Sequence, residues 1–248
     1  MKAVALTDRG RVRTNNEDTV FCSTKPVGNL PNLFVVADGM GGANAGDYAS
    51  SSVISELVRL IENDRTNVNH TDILRHAINN ANMKLYMDSC SNPDYSGCGT
   101  TLVTAVIDDG TLFVSNVGDS RLYIINNHHI EQITRDHSYV EEMVQLGRMK
   151  RNSLDYKMKK NIITRAIGIA KDVKIDFFEF DMDPMDKVLL CSDGLSNMID
   201  DKHIFKLVNK ASDIEAAAKA LVDAANENGG NDNISAVLIG DFGKEAES

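Results

Sequence analysis

The apolar run at residues 33–37 constrains the fold more than any other stretch, because it ends directly on a carboxylate. Leu, Phe, Val, Val and Ala follow one another without a polar break, which is typical of a strand buried on both faces. Asp38 comes next, followed by Gly39, Met40 and two further glycines. A carboxylate at the mouth of a buried strand is costly unless cations or hydrogen-bond donors receive it. The stretch therefore predicts that Asp38 serves a site.

The same arrangement recurs late in the chain, where the apolar residues 188–191 are closed by Ser192, Asp193 and Gly194. A single Asp-Gly pair is more often only a turn, so the prediction of a site depends on several such positions together. Five aspartates lie at predicted strand ends or in glycine loops: Asp18, Asp38, Asp119, Asp193 and Asp232. Because they span nearly the whole chain, a site built from them requires one cooperative domain.

Composition excludes several classes of protein. The 248 residues suffice for one large domain with a substantial core. A net charge of −10 argues against nucleic acid as a partner. No apolar stretch has membrane-spanning length and the N-terminus lacks a signal-peptide core, so we expect a cytoplasmic protein with no membrane partner. The four cysteines form no C-x-x-C pair, so we expect reduced thiols and no zinc knuckle.

Hydrophobic periodicity predicts short strands in succession, which favours antiparallel sheets over repeated βαβ units. Two predicted helices begin at capping boxes, Ser138 with Glu141 and Ser212 with Glu215. The basic segment at residues 148–160 is equally compatible with a solvated loop and a substrate-facing flap. The predicted strands are residues 2–7, 19–22, 33–37, 100–107, 111–117, 122–125, 129–134, 173–180, 188–191 and 234–239; the helices are 44–61 and 72–87 and those ending near 146 and 226; residues 63–69 are a linker.

The five aspartates indicate a particular chemistry. The sequence has no H-E-x-x-H or H-x-H motif that would supply nitrogen ligands, and an oxygen-only cluster suits Mg²⁺ or Mn²⁺. Several carboxylates without a nearby nucleophile match a two-metal hydrolase, in which paired ions activate a water for in-line attack on phosphorus. Arg13 would then be a fork-shaped clamp on phosphate oxygens.

Five ordered motifs carry a resemblance to a known family. They are R-x-x-x-E-D at 13–18, V-A-D-G-M-G-G at 36–42, G-D-S-R at 118–121, C-S-D-G-L at 191–195 and G-G-x-D-N-I-S at 229–235. Together the chain resembles the metal-dependent type 2C (PPM) Ser/Thr protein phosphatases in their compact bacterial form. The resemblance implies an α+β fold, a four-layer αββα sandwich with two central antiparallel sheets flanked by helix pairs. It also implies one catalytic domain at residues 1–242 with a flap-like segment at 147–161, followed by a polar tail at 243–248.

The resemblance also implies roles for individual residues. Asp38 would bridge two core Mn²⁺ or Mg²⁺ ions, and the carbonyl oxygen of Gly39 would bind one of them. The other expected metal ligands are carboxylates: Asp193 and Asp232 on one ion, Asp18 on the other, and Asp119 with Asp193 on the third ion of bacterial members. Arg13 would bind the substrate phosphate. Glu17 and Asn233 would hold these residues in position without binding the ions themselves.

The implied reaction is hydrolysis of phosphoserine and phosphothreonine on proteins by in-line attack of a metal-bridging hydroxide, without a phosphoenzyme. The implied partners are phosphoproteins made by a Ser/Thr protein kinase, and we expect a monomer. Met40 departs from members that carry a proton-donating histidine at this position, and His137 is a weak substitute that we interpret as a structural histidine.

Three rival functions each require residues or losses that the sequence does not show. No cysteine has the arginine six residues later that a cysteine-nucleophile phosphatase needs, because those positions are Gly28, Ser96, Thr104 and Asn197. No P-loop or complete G-x-G-x-x-G follows Gly39. A catalytically silent relative acting as a regulatory binding module would be expected to have lost ligands, whereas every expected aspartate is present.

Overall fold

A computed structural model of the chain describes residues 1–42, 45–64, 69–151 and 153–242. Within these residues the strands pair antiparallel in two sheets, which confirms the predicted sheet type and fold class. The strands are β1 (Lys2–Asp8), β2 (Asp18–Ser23), β3 (Leu33–Met40), β4 (Gly99–Thr100), β5 (Leu102–Asp108), β6 (Thr111–Val117), β7 (Arg121–Ile125), β8 (Ile130–Gln132), β9 (Asp176–Asp181), β10 (Lys187–Cys191) and β11 (Ile234–Gly240).

The strand orders place β1 beside β11 and β2 beside β3. One sheet runs β1-β11-β10-β7-β8 and the other β2-β3-β5-β6-β9, with the short β4 paired to β3. Apolar side chains from both sheets, including Phe34, Val103, Leu190 and Val237, form one buried cluster. The sheets therefore pack face to face.

Helices cover the outer faces of this sandwich. The helices are α1 (Ala45–Asn63), α2 (His70–Ser91), α3 (Tyr139–Gln145), α4 (Leu154–Lys159), α5 (Asp193–Ser196), α6 (Asp201–Lys210) and α7 (Ile214–Glu227). Helices α1 and α2 share a core cluster with the β3 sheet, and α6 and α7 share another with the β11 sheet. The result is the four-layer αββα arrangement that the resemblance implied.

Strand β3 shows why an unbroken apolar run was required. Val35 and Ala37 pack in the cluster beneath α1 and α2, whereas Phe34 and Val36 pack between the two sheets. Because successive side chains point to opposite faces, a strand between two apolar layers needs apolar residues at every position. The strand continues through Asp38 to Met40, so the prediction that it ends before Asp38 is wrong.

Several local predictions differ from the structure. Helices α4, α5 and α6 were not predicted. The strand expected at residues 100–107 is interrupted at Thr101. The strand expected from residue 173 begins only at Asp176. The predicted helix start at Asn44, most of the predicted linker and the polar tail lie outside the described residues.

The cysteines differ in their exposure to solvent. All four cysteines are free; Cys98 and Cys191 are buried, Cys22 is half-buried and Cys90 is exposed. Among the described residues, none of the helices combines the length and apolar character needed to span a bilayer.

The cap of α7 gives the first prediction. Asp213, not Ser212, is the N-cap, because its carboxylate accepts the Ala216 N–H at 2.8 Å. We expect Asp213→Ala to lower the melting temperature by about 3 °C, the usual effect of losing a cap in a chain of this size. Ser212→Ala is the matched control. It removes only the exposed hydrogen bond from Ser212 Oγ to Asp213 Oδ2 and should have a clearly smaller effect. Equal effects of the two substitutions in differential scanning calorimetry would contradict this assignment.

Candidate active site

Two aspartates are directly opposite each other on adjacent strands. The β2–β3 register pairs Asp18 directly with Asp38. The backbone of Asp38 is held from the other side, where its N–H donates to Thr101 Oγ1 at 2.9 Å and its carbonyl oxygen accepts from Thr100 Oγ1 at 2.9 Å. The break between β4 and β5 thus lets two threonines fix the position of Asp38.

Asp18 is buried and only half satisfied. Its Oδ2 accepts from Ser192 Oγ at 2.7 Å, while its Oδ1 is buried with no hydrogen-bond partner among the described residues. Ser192 also receives the Ser235 N–H on the same hydroxyl at 3.0 Å. Asp18 is therefore linked to β10 and β11 in the opposite sheet, with one oxygen left open.

Asp193 begins the short helix α5, and Asn197 holds its side chain by donating from Nδ2 to Asp193 Oδ2 at 2.9 Å. Asn197 in turn accepts from Lys160 Nζ at 2.8 Å through Oδ1. The flap-like segment and Asp193 are thus joined through one amide side chain, a link that the sequence alone did not indicate.

Arg13 and Asp232 form an ion pair at the rim. Arg13 Nη2 lies 2.8 Å from Asp232 Oδ2, and the Arg13 side chain is about half exposed. The loop that carries Arg13 is fixed by hydrogen bonds from the Arg11 and Val12 N–H groups to the Gly230 carbonyl oxygen, at 2.7 and 3.2 Å. The pair therefore places a guanidinium with exposed surface beside the carboxylates.

Asn233 joins the loop before β2 to the turn that carries Asp232. Its Oδ1 accepts the Glu17 N–H at 2.9 Å. Its Nδ2 donates to the carbonyl oxygens of Arg9 and Asn15 at 2.9 and 2.8 Å. Both N–H groups and the oxygen of this buried amide are thus used to join segments more than 200 residues apart in sequence.

Glu17 and Gly39 lie where β3 meets α1. The Gly39 N–H donates to the Glu17 carbonyl oxygen at 3.1 Å, and the Glu17 carboxylate packs against Gly46 in the first turn of α1. A Cβ on Gly39 would overlap the backbone oxygens of Gly46 and Glu17. Position 39 therefore admits only glycine, whatever its carbonyl oxygen binds.

Asp119 follows β6 and faces the same region. It is buried, and its Oδ1 has no hydrogen-bond partner within the described part of the chain. The neighbouring Arg121 is held by Asp136, with Nη2 to Oδ2 at 2.7 Å, and by the Tyr123 hydroxyl at 3.0 Å. Asp119 thus has one open oxygen, like Asp18.

The carboxylates raise one another's affinity for protons. Desolvation, with repulsion from neighbouring carboxylates, raises the pKa of Asp18 to about 7 and that of Asp193 to about 6. The same two causes raise the pKa values of Asp38 and Asp119 well above their ordinary range. A group of acids that resist ionisation is a place where a bound cation would replace protons.

These residues fit a hard divalent cation. The donors are carboxylate and carbonyl oxygens, and Asp18 and Asp119 each have a buried oxygen without a donor. Among the described residues, no three acidic, histidine or cysteine side chains already surround a common point that an ion would fill. One carboxylate oxygen of Asp232 accepts a hydrogen bond from Arg13, and one of Asp193 accepts a hydrogen bond from Asn197.

A cavity of about 680 Å³ joins this cluster to the flap-like segment. Asp119, Asp193 and Arg121 line one side, and Tyr156, Lys157 and Lys160 are among the residues lining the other. The basic segment therefore faces the site, although sequence alone did not distinguish this position from a solvated loop.

His137 makes its hydrogen bonds within the protein. It is buried, its Nδ1 accepts the Gly118 N–H at 3.0 Å and its Nε2 lies 3.0 Å from Asp176 Oδ2. Both ring nitrogens are thus used within the protein. Sequence reasoning missed the supporting roles of several polar residues. Thr100, Thr101 and Asn197 lie between the motifs, Lys160 ends the basic segment and Ser235 ends the fifth motif.

Comparisons with known proteins found relatives that match nearly the whole chain. The family model described as "Protein phosphatase 2C" matches residues 8–238. The serine/threonine phosphatase stp of Listeria monocytogenes is 36% identical over 96% of this chain and 95% of its own. The crystal structure of Stp1 from Staphylococcus aureus superimposes with a TM-score of 0.88 at 36% identity, covering 96% of this chain and 93% of that one. The catalytic domain of the phosphatase PstP in complex with two manganese ions has a TM-score of 0.83 at 31% identity, with 96% of each chain covered.

The raised pKa of Asp18 predicts how pH affects the metal-free protein. Asp18 holds its proton up to about pH 7 when folded but only to about pH 4 when unfolded. The folded state thus binds more protons than the unfolded state between these values, and this group's contribution to stability falls as the pH rises. Asp18→Asn removes the charge and keeps an acceptor for Ser192. We expect this variant to melt about 3 °C or more above wild type at about pH 7.5, and the difference to be only about a third as large near pH 5, where the loss of wild-type stability has just begun.

The measurement is differential scanning calorimetry in chelator. Asp172→Asn, on an exposed loop, is the matched control and should show no such pH-dependent difference. An Asp18→Asn variant less stable than wild type at both pH values would show that the carboxylate is not under repulsion.

Proposed function

The chain belongs to the protein phosphatase 2C family of metal-dependent protein serine/threonine phosphatases, and on this premise we propose how its residues carry out the hydrolysis of phosphoserine and phosphothreonine. Its substrates are phosphoproteins. We propose further that these are products of a Ser/Thr protein kinase, and that the enzyme acts as a cytoplasmic monomer whose catalytic domain spans residues 1–242. The juxtaposition of Asp18 and Asp38 in the β2–β3 register is the observation on which the catalytic proposal depends.

We assign the metal ligands from the open oxygens and the family motifs. Asp38 and the Gly39 carbonyl oxygen would hold the core ions, with Asp18 on one and Asp193 and Asp232 on the other. Asp119 and Asp193 would hold a third ion. The oxygen-only donor set supports Mn²⁺ or Mg²⁺, and the related PstP catalytic domain is in complex with two manganese ions. When bound, the ions would lower the pKa of a water and orient it toward phosphorus.

Arg13 is the group we assign to the substrate phosphate. Its guanidinium is half exposed and lies at the edge of the carboxylate cluster. A planar guanidinium offers two parallel N–H groups to two phosphate oxygens, which fixes the orientation of the phosphoryl group. Its ion pair with Asp232 keeps the side chain in place before substrate arrives.

Glu17 and Asn233 support the site through its backbone. Asn233 joins the loop at residues 9–17 to the turn that carries Asp232, and the Glu17 carbonyl oxygen receives Gly39 N–H and Ser50 Oγ–H. These bonds fix the relative positions of Arg13, Asp38 and Asp232. A catalytically silent binding module has no observation in its favour, because no expected carboxylate is missing.

The catalytic proposal predicts a metal-dependent activity that requires Asp38. We expect hydrolysis of a small aryl phosphate in Mn²⁺, none in chelator, and a kcat at least about 100-fold lower in Asp38→Asn, since the change removes the central metal-binding charge. Asp172→Asn is the control and should match wild type. A folded Asp38→Asn variant with wild-type kcat would overturn the assignment, as would full activity in chelator.

The flap-like segment is the surface we assign to acidic regions of the substrate. Residues 148–160 carry six cations and one carboxylate in a chain of net charge −10. Among the described residues of this segment, Arg151 pairs with Glu141 at 2.8 Å and Lys160 with Asn197. Lys157 lines the cavity that leads to Asp119 and Asp193, and exposed Leu154 lies on the same helix. The charge of the segment is opposite to that of an acidic phosphopeptide.

Charge reversal tests this docking surface. We expect Lys150→Glu/Lys157→Glu to lower kcat/KM for an acidic phosphopeptide by about 10-fold or more, with little effect on a small aryl phosphate, because only the peptide reaches the segment. Lys206→Glu/Lys210→Glu on α6 is the matched reversal and should affect neither. If both substrates change equally, or neither changes, the docking assignment is wrong.

A further inference from the structure

His137 forms hydrogen bonds with both backbone polar groups of Gly118, the residue before Asp119. Its Nδ1 accepts the Gly118 N–H at 3.0 Å, and its own backbone N–H donates to the Gly118 carbonyl oxygen at 2.9 Å. One residue therefore satisfies both polar groups of Gly118. Because His137 is buried, water does not compete for these bonds, and the backbone direction entering Asp119 is set by the imidazole.

The turn at Gly118 has little freedom of its own. Gly118 has φ +109°, a conformation that other residues rarely adopt. A Cβ at this position would lie 2.6 Å from Thr101 Cγ2, on the same threonine whose hydroxyl receives the Asp38 N–H. The Gly118 turn thus packs between Thr101, which fixes Asp38, and the imidazole of His137. A shift of the turn would move Asp119 relative to Asp38.

The hydrogen bonds at the two ring nitrogens fix the tautomer of His137. Because Nδ1 accepts from Gly118, the ring proton of the neutral imidazole is on Nε2, which donates to Asp176 Oδ2 at 3.0 Å. Arg165 Nη1 donates to the other carboxylate oxygen at 2.8 Å and also lies 2.8 Å from Nε2. Two donors therefore converge on one carboxylate. Asp176 holds the proton on Nε2 and so keeps Nδ1 free to accept.

The same residue is tied to the segment that returns from the flap. The Thr164 N–H donates to the His137 carbonyl oxygen at 2.8 Å, and Ser138 forms a β-bridge with Ile163. Arg165 belongs to this segment as well. His137 consequently lies between the base of the flap and the turn that carries Asp119.

We propose that His137 is a positioning residue that directs Asp119 toward its ion, with Asp176 and Arg165 holding the imidazole in the required tautomer. The proposal rests on the proposed metal-binding role of Asp119, whose buried Oδ1 has no protein donor in the described ranges. An orienting hydrogen bond behind a ligand typically affects metal affinity 10- to 100-fold, roughly.

Two substitutions separate the imidazole's two hydrogen bonds. His137→Asn places an amide oxygen near the position of Nδ1 and keeps an acceptor for Gly118. His137→Gln extends to the position of Nε2 and keeps the donor to Asp176, but lacks the Nδ1 acceptor. We expect isothermal titration calorimetry of the metal-free proteins with Mn²⁺ to show a weakest binding step that is retained in His137→Asn and about 10-fold or more weaker in His137→Gln. The tighter steps should be unchanged in both.

Asp119→Asn distinguishes failure of this proposal from failure of the proposed function. If Asp119→Asn removes the weakest step and His137→Gln leaves it intact, Asp119 binds metal but His137 does not position it. If Asp119→Asn changes no step, the proposed metal role of Asp119 fails and this proposal fails with it. Equal weakening by the Asn and Gln variants would also overturn the proposal, because a merely structural histidine is not rescued by the correct acceptor.

Asp176→Asn provides an independent variant should His137→Gln not fold, as judged by circular dichroism and calorimetric melting. The amide no longer forces the proton onto Nε2, so the imidazole also populates the tautomer that cannot accept from Gly118. We expect a smaller loss in the weakest Mn²⁺ step than in His137→Gln. An Asp176→Asn isotherm identical to wild type would show that the tautomer is fixed by Gly118 alone and would remove Asp176 from the proposal.

Discussion

Repulsion between Asp18 and Asp38 is the constraint on which the rest of the structure depends. Like charges directly opposite in an antiparallel pair destabilise the sheet, and here the two carboxylates are cross-strand partners. The fold holds them together through apolar packing on both faces of β3 and through Thr100 and Thr101, which fix the Asp38 backbone. The unfavourable electrostatic energy is thus offset by contacts that do not involve the carboxylates themselves.

The site is a property of the whole chain, because its members arrive from both ends. Strands β1 and β11 pair along their full lengths, which brings the loop carrying Arg13 next to the turn carrying Asp232. Asn233 then completes the junction with three hydrogen bonds to that loop. Local unfolding at either end would therefore separate Arg13 from Asp232, and the geometry of the site follows the global stability of the domain.

Sequence alone predicted the residues whose chemistry conflicts with their surroundings. Asp38 after a buried strand is such a conflict, and so is Asp193, and both lie in the cluster. No such conflict distinguishes Thr101, Asn197 and Lys160 in the sequence. Polar residues like these are ordinary, and their roles become visible only when the fold brings their hydrogen-bond partners near. Helix α6 has its apolar residues Ile204 and Val208 at helical spacing and an Asp200 N-cap, so periodicity could have found it. The cap at Asp213 is different, because Ser212 and Asp213 are both good caps and only the backbone geometry decides between them.

Met40 and His137 bear on how the leaving group receives its proton. Met40 has no proton to give, and the two ring nitrogens of His137 are committed to Gly118 and Asp176. A serine alkoxide is a poor leaving group that needs a proton, whereas an aryl oxide departs readily without one. Activity on an aryl phosphate therefore measures phosphate binding and attack on phosphorus, and it does not depend on a proton donor. Only the comparison with phosphoserine measures how well this site, with methionine at position 40, completes the second half of the reaction.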